Sequence, residues 1–338
     1  MRTLVAVLTL LLAAAAPARG ASPAAPLTLE RALALGPDAS ASVLSARAAV
    51  AGAQRDATRV ASDPASLRVD RVAAANARAD AERALAAALA TNRATVASAF
   101  FDALEGDAAV DVARLDASIQ QQTLEAEQAR LQAGAATDLD VAKARNAVAA
   151  AEATLRDAIT QSTLARNALA SLIGTQVADL SEPAELPELE PIDRALARAD
   201  QVNAPLTAAR NAQALARAQL EATDNDFSSR SEIQNAQDAL QDAVRHVGEV
   251  ERTLELSVRG AHANAEAART SLDNARAADA TARKDLDAAR ARLDAGAISP
   301  LAYRSSELTR RQAAQALAAA RHALVLRIYT LDEVVAGG

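Results

Sequence analysis

Apolar positions in the second half of this chain recur every seven residues. Ala261, Ala268, Ala275, Ala282 and Ala289 form one row, and Leu272, Leu286 and Leu293 form an interleaved row that is broken at Asp279. The two rows alternate at spacings of three and four. That is a coiled-coil seam, and a strict seven-residue period implies left-handed supercoiling of neighbouring helices. The first half repeats the pattern in Val110, Ala117, Leu124 and Leu131. After it Val141, Ala144, Val148, Ala151, Leu155, Ala158, Ala165, Leu169 and Leu172 step by three and four, with Ser162 as the polar interruption. Alanine rows let helix axes approach closely but bury little apolar area per contact, so such helices need several neighbours.

The pattern is duplicated. Ala129-Arg130-Leu131-Gln132-Ala133-Gly134-Ala135 returns 162 positions later as Ala291-Arg292-Leu293-Asp294-Ala295-Gly296-Ala297, with six of seven residues identical. At the same offset Val96 meets Val258, Leu139 meets Leu301, Leu155 meets Leu317 and Leu169 meets Leu331. Two repeats are therefore expected, 27–174 and 192–337. Between them 175–191 carries Pro183, Pro187, Pro191 and five acids, which predicts an exposed linker.

Breakers divide each repeat into three helices. Glu30–Val60, Val72–Gln132 and Thr137–Ile173 are expected in the first, and Ile192–Ala222, Glu232–Asp294 and Ser299–Val335 in the second. Gly36-Pro37 should interrupt the opening helix early. Each central helix would be about 90 Å long at 1.5 Å per residue, and the two shorter helices could stack end to end beside it. The fold class is all-α, with long antiparallel coiled-coil hairpins in two tandem repeats.

Composition agrees. Ala, Leu, Arg, Glu and Gln dominate, aromatic residues number five and Trp is absent, so a large aromatic pocket is hard to build. The net charge of −7, with 36 basic residues scattered among 43 acids, argues against nucleic acid as a partner. Residues 1–20 resemble a signal peptide: Arg2, an apolar stretch from Leu4 to Ala16, then Pro17 and small residues. The stretch is too short to span a bilayer. An exported, periplasmic protein without cysteine, and so without disulfides or a lipidated terminal cysteine, is expected.

Thr28-Leu29-Glu30-Arg31-Ala32-Leu33, the Ala129–Val141 tip motif and the ending Ala168-Leu169-Ala170-Ser171-Leu172-Ile173-Gly174 resemble those of the TolC-like outer-membrane efflux proteins. That resemblance implies a homotrimer whose helices form a hollow periplasmic cylinder. Its tips, here Ala133, Gly134, Ala135, Thr137, Ala295, Gly296, Ala297 and Ser299, would dock a periplasmic adaptor and an inner-membrane pump. It also implies a gate near Asp138 and Asp140 in the first repeat, with Ala302-Tyr303 standing at the equivalent place in the second. The family inserts two barrel strands between the first and second helices of each repeat. Here those gaps, 61–71 and 223–231, are too short for two membrane strands and a turn. The expected fold is a TolC-like α-barrel half without the outer-membrane β-barrel, with a separate outer-membrane protein as a further expected partner.

Two readings compete: a duct component of an efflux or type I secretion system, and an envelope scaffold built from the same bundle. An enzyme is disfavoured, since His246, His262 and His322 share no metal-ligand spacing and are expected on helix surfaces. No cofactor is implied. Gly134 and Gly296 also suit simple helix caps, Asp138 and Asp140 suit a helix N-terminus, and Phe100 and Phe101 suit seam packing.

Overall fold

The computed structural model describes residues 26–338; the expected signal peptide lies outside the described residues. Eight helices follow one another: α1 (Leu29–Ala39), α2 (Ala41–Ser62), α3 (Arg68–Gln132), α4 (Asp138–Ile173), α5 (Ile192–Val202), α6 (Ala204–Thr223), α7 (Arg230–Asp294) and α8 (Pro300–Ala336). The all-α expectation holds, and the long helices end where the sequence places them. α3 and α7 are 65 residues each, roughly 98 Å at 1.5 Å per residue.

The opening helix of each repeat is in two pieces, and the break lies at Ser40 and Asn203 rather than at Gly36-Pro37. Pro37 sits within α1, and the chain turns only where a short polar side chain can cap the next helix. The Ser40 hydroxyl accepts the Val43 N–H at 3.5 Å, and the Asn203 side-chain oxygen accepts the Leu206 N–H at 3.0 Å. Gly36 is instead a contact residue. A Cβ there would lie 2.7 Å from Val96 and 2.8 Å from Asn92, so its absence lets α1 lie directly on α3.

The helices form a layer of four rods. α2 and α4 lie along the two halves of α3 with α1 between them, and α6 and α8 lie likewise along α7 with α5 between. α3 also packs on α6 and α8, which joins the repeats and places α3 inside the layer with α7 at one edge. Accordingly α7 buries a narrow row (Ala261, Ala265, Leu272, Asp279, Ala282, Ala289), whereas α3 buries several faces around Phe100 and Phe101. α3 also holds a window of mean hydropathy 1.2, long enough to cross a membrane and 39% buried inside the chain. A central Ala-rich rod covered on two sides has the same composition.

Residues 63–67 and 224–229 close the α2–α3 and α6–α7 hairpins. Asp63 accepts the Ala65 N–H at 2.9 Å and Asn225 accepts the Phe227 N–H at 2.9 Å, ordinary Asx turns. Among the described residues there is no β-strand, only a parallel bridge between Leu27 and Leu180.

That bridge marks the main departure from expectation, because the linker is not a solvated spacer. Leu180 and Leu186 pack on the cluster around Phe100, Phe101 and Leu169, and Leu189 packs beside Ala195 and Val258. The segment 175–190 is a strap laid across the middle of the layer.

Polar residues enter the seam at the two positions where the periodicity falters. Ser162 donates to Asp107 at 2.7 Å, and Arg166 donates to the same carboxylate through Nε at 2.9 Å and Nη2 at 2.5 Å. The equivalent residues of repeat two, Leu324 and Ile328, belong to an apolar cluster with Leu272. Conversely Asp279, with its side chain 5% exposed, pairs with Arg310 and Arg283, both at 2.9 Å, where repeat one has Ala117, Val148 and Gln121. The Arg310 contact is an ion pair without a well-directed hydrogen bond to Oδ1. A buried pair of this kind holds register more than it adds stability. Arg310→Val should therefore cost up to about 3 kcal/mol by leaving the buried carboxylate with only the exposed Arg283 as its partner, whereas Asp279→Ala with Arg310→Val should return to within about 1 kcal/mol of the parent. Urea denaturation of the three proteins checks this.

Candidate functional site

The glycine turns of the two tips match closely. Gly134 and Gly296 have φ of 70° and 71°, the left-handed conformation that only glycine adopts without strain. Ahead of each, the helix ends in paired reversed hydrogen bonds. Ala135 N–H reaches Arg130 O at 2.8 Å and Gly134 N–H reaches Leu131 O at 2.9 Å; Ala297 N–H reaches Arg292 O at 2.7 Å and Gly296 N–H reaches Leu293 O at 2.9 Å. A Cβ on either glycine would meet nothing within 4 Å, so conformation and not crowding demands glycine there.

Ala133, Ala135, Thr137, Ala295, Ala297 and Ser299 are exposed, as both glycines are. Both tips lie at the same end of the layer. α8 runs antiparallel to α3, with Thr91 bonded to Glu333 and Glu105 to His322, so the start of α8 lies toward the end of α3.

The two tips differ in how the next helix begins. Thr137 caps α4 and shares a capping box with Asp140: Asp140 N–H reaches the Thr137 hydroxyl at 3.3 Å, and the Thr137 N–H and hydroxyl reach the Asp140 carboxylate at 2.9 and 2.7 Å. These bonds, backbone first, hold the Asp140 pKa below its ordinary value. Ser299 caps α8 alone, accepting the Ala302 N–H at 3.2 Å. Asp138 is exposed in the first turn of α4 and Tyr303 is half-buried in that of α8. Among the described residues no hydrogen bond or ion pair joins Asp138 or Asp140 to Tyr303 within the chain.

Sequence reasoning missed a second polar centre beneath the strap. His322 is 2% exposed, and its ring stacks on Phe101 with centroids 4.3 Å apart and planes 15° apart. Nδ1 lies 2.9 Å from Glu105 Oε1 and Nε2 lies 3.0 Å from Glu182 Oε2 on the strap. His262 is buried too, with Nε2 3.0 Å from the Glu190 carbonyl; His246 stays on the surface. Two of three histidines thus depart from the helix-surface expectation. The available signal was the second apolar stripe of α8, in which His322 precedes Val325 and Tyr329 at spacings of three and four. Further along the strap Arg198 bonds Glu190 and, at 2.6 Å, Asp332. Among the described residues no group of three or more His, Cys, Asp or Glu is arranged to hold a metal ion.

Thr137→Ala should lower stability by about 1–2 kcal/mol and Ser299→Ala by about 1 kcal/mol or less, because only the former also strips Asp140 of its partner. Thermal melts of both variants test the order.

Residues 65–175 match the family model described as outer membrane efflux protein. No curated protein matches the chain. Among solved structures, the outer membrane protein VceC of Vibrio cholerae aligns at 18% identity and a TM-score of 0.64, over 92% of this chain and 96% of that one. The CmeC outer membrane channel of Campylobacter jejuni aligns at 12% identity and a TM-score of 0.68, over 92% and 86%. The MtrE outer membrane channel of Neisseria gonorrhoeae, in its open state, aligns at 16% identity and a TM-score of 0.63, over 92% and 89%. By fold along nearly its whole described length, and by sequence over 65–175, the chain is similar to the helical part of the TolC-like outer-membrane efflux proteins.

Proposed function

We propose that this chain is the periplasmic helical duct of an efflux or type I secretion system, meeting an adaptor protein and its inner-membrane pump at the two glycine tips. The observation that carries this reading is the pair of matched, exposed tips at one end of a layer with the fold of outer membrane channels. A turn with open space around it presents the same Ala-Gly-Ala sequence twice, which suits repeated docking of one partner. Asp138, Asp140 and Tyr303 sit one turn inside that end and are the proposed gate, acting between copies rather than within one.

A closed ring of three chains, the number the family resemblance implies, is supported by the edges of the layer. Leu44, Ile159 and Leu164 are exposed on the α2–α4 edge, and Val244 and Leu256 on α7, Leu256 at 73%. Joining unlike edges head to tail would hide both, and a rotation of a third of a turn per chain would close the ring. At the far end Leu67 and Phe227 stand exposed in the hairpin turns, where a separate outer-membrane protein would continue the path. The short turns also favour a second reading, a periplasmic scaffold of the same architecture without transport.

Ala135→Asp with Ala297→Asp should reduce adaptor crosslinking at least tenfold and raise sensitivity to the exported compounds, while the melting temperature stays within about 2 °C because both sites are exposed. Unchanged crosslinking and sensitivity would leave the scaffold. The chain without its leader should also run as a trimer by light scattering in detergent-free buffer. Recovery only as a monomer, or only with integral membrane proteins, would overturn the ring of barrel-less chains.

A further inference from the structure

The strap has fixed ends and one titratable contact between them. Its start is held by Arg166, which donates to the Ala178 carbonyl, and by Leu27, whose N–H reaches Asp179 O at 2.7 Å and whose carbonyl takes the Ser181 N–H at 3.0 Å. Its end is held by Arg198 on the Glu190 carboxylate and His262 on the Glu190 carbonyl. The guanidinium groups keep their charge at every accessible pH. Between these anchors, among the described residues, Glu182 on His322 is the one side-chain hydrogen bond from strap to helix.

An imidazole with a carboxylate oxygen at each nitrogen needs two N–H groups to satisfy both. The neutral ring has one, and turns a lone pair toward the other carboxylate. We propose that His322 is a proton-operated clasp: protonated, it holds Glu182 of the strap against Glu105 of α3, and loss of the proton frees the strap around Glu182, between the Ser181 anchor and the packed Leu186 side chain, from the α3–α8 seam. Glu182 yields rather than Glu105. Glu105 is carried by a continuous helix, whereas Glu182 is followed by Pro183 in a stretch with no backbone ladder of its own.

The charged groups around the clasp are Asp102 and Glu105 from α3, Glu182 and Asp179 from the strap, Arg321 from α8 and Arg166 from α4. Burial alone would lower the His322 pKa, but the hydrogen bonds and charges of Glu105 and Glu182 outweigh it and raise the value from 6.5 to about 8. In turn the hydrogen bond from His322 holds Glu182 below its ordinary value, while burial and the charge of Glu105 push Asp102 above its own. A histidine whose pKa is raised by the closed state stabilises that state fully below about pH 6.5 and ceases to do so as pH rises through about 8. Such a shift corresponds to at most roughly thirtyfold in the ratio of open to closed strap.

The chain has no cysteine, so Ala184→Cys, exposed on the strap, accepts a single spin label. In the full chain the mobile-to-immobile ratio of that label should rise between pH 6.5 and 9, by up to about thirtyfold and with a midpoint near 8, whereas a label at Ala297→Cys on the tip should not respond. His322→Gln and Glu182→Gln should each remove that midpoint. If His322→Gln fails to fold by circular dichroism, Glu182→Gln, altered at a half-exposed side chain, decides alone. A strap label indifferent to pH, or a transition near 8 that survives in either folded variant, overturns the clasp.

Discussion

Alanine at every seventh position sets how closely the helices approach, and the rest of the architecture follows from that spacing. Small seam residues bring two 65-residue helices into contact with their neighbours along nearly their whole length, yet each contact removes little apolar surface from water. Stability must then come from number. α3 meets this demand by lying between two rods, and the larger side chains, Phe100, Phe101, Leu169 and Leu331, gather at mid-height where α1 and α5 break the outer rods. The strap crosses at that same level. It supplies carboxylates and carbonyls to Arg166, Arg198, His262 and His322.

The repeats share a backbone plan but exchange their polar insets. Repeat one joins Asp107 to Ser162 and Arg166 where repeat two has Leu324 and Ile328 facing Leu272, and repeat two places Asp279 and Arg310 where repeat one has Ala117 and Val148. A uniform alanine–leucine seam could slide by one heptad at small cost. A charged pair that finds its partner in one register only penalises that slip. Each hairpin therefore carries its own register mark, and unlike marks discourage one hairpin from replacing the other.

Much of this was legible beforehand. The 162-residue offset, the long helices, the glycine turns and the short hairpin closures all follow from local chemistry: heptad period, cap residues and turn formers act within a few positions of themselves. Asp279 and Ser162 were visible as interruptions, although only packing showed what fills them. The break was misplaced because α1 runs through Pro37 into its last turn, and the chain turns only where Ser40 and Asn203 offer the side-chain caps that let a new helix start.

By itself the sequence determined a duplicated, Ala-rich, two-hairpin helical protein with glycine tips at one end and tight turns at the other, because each of these features is encoded within one or two helical turns. Only the tertiary structure decided that the acidic, proline-bearing segment is a strap and not a solvated linker, and that His322 lies buried between Glu105 and Glu182. Those contacts join residues 217 and 140 positions apart. Whether a charge is solvated or buried depends on what the fold brings over it, and no local pattern carries that information.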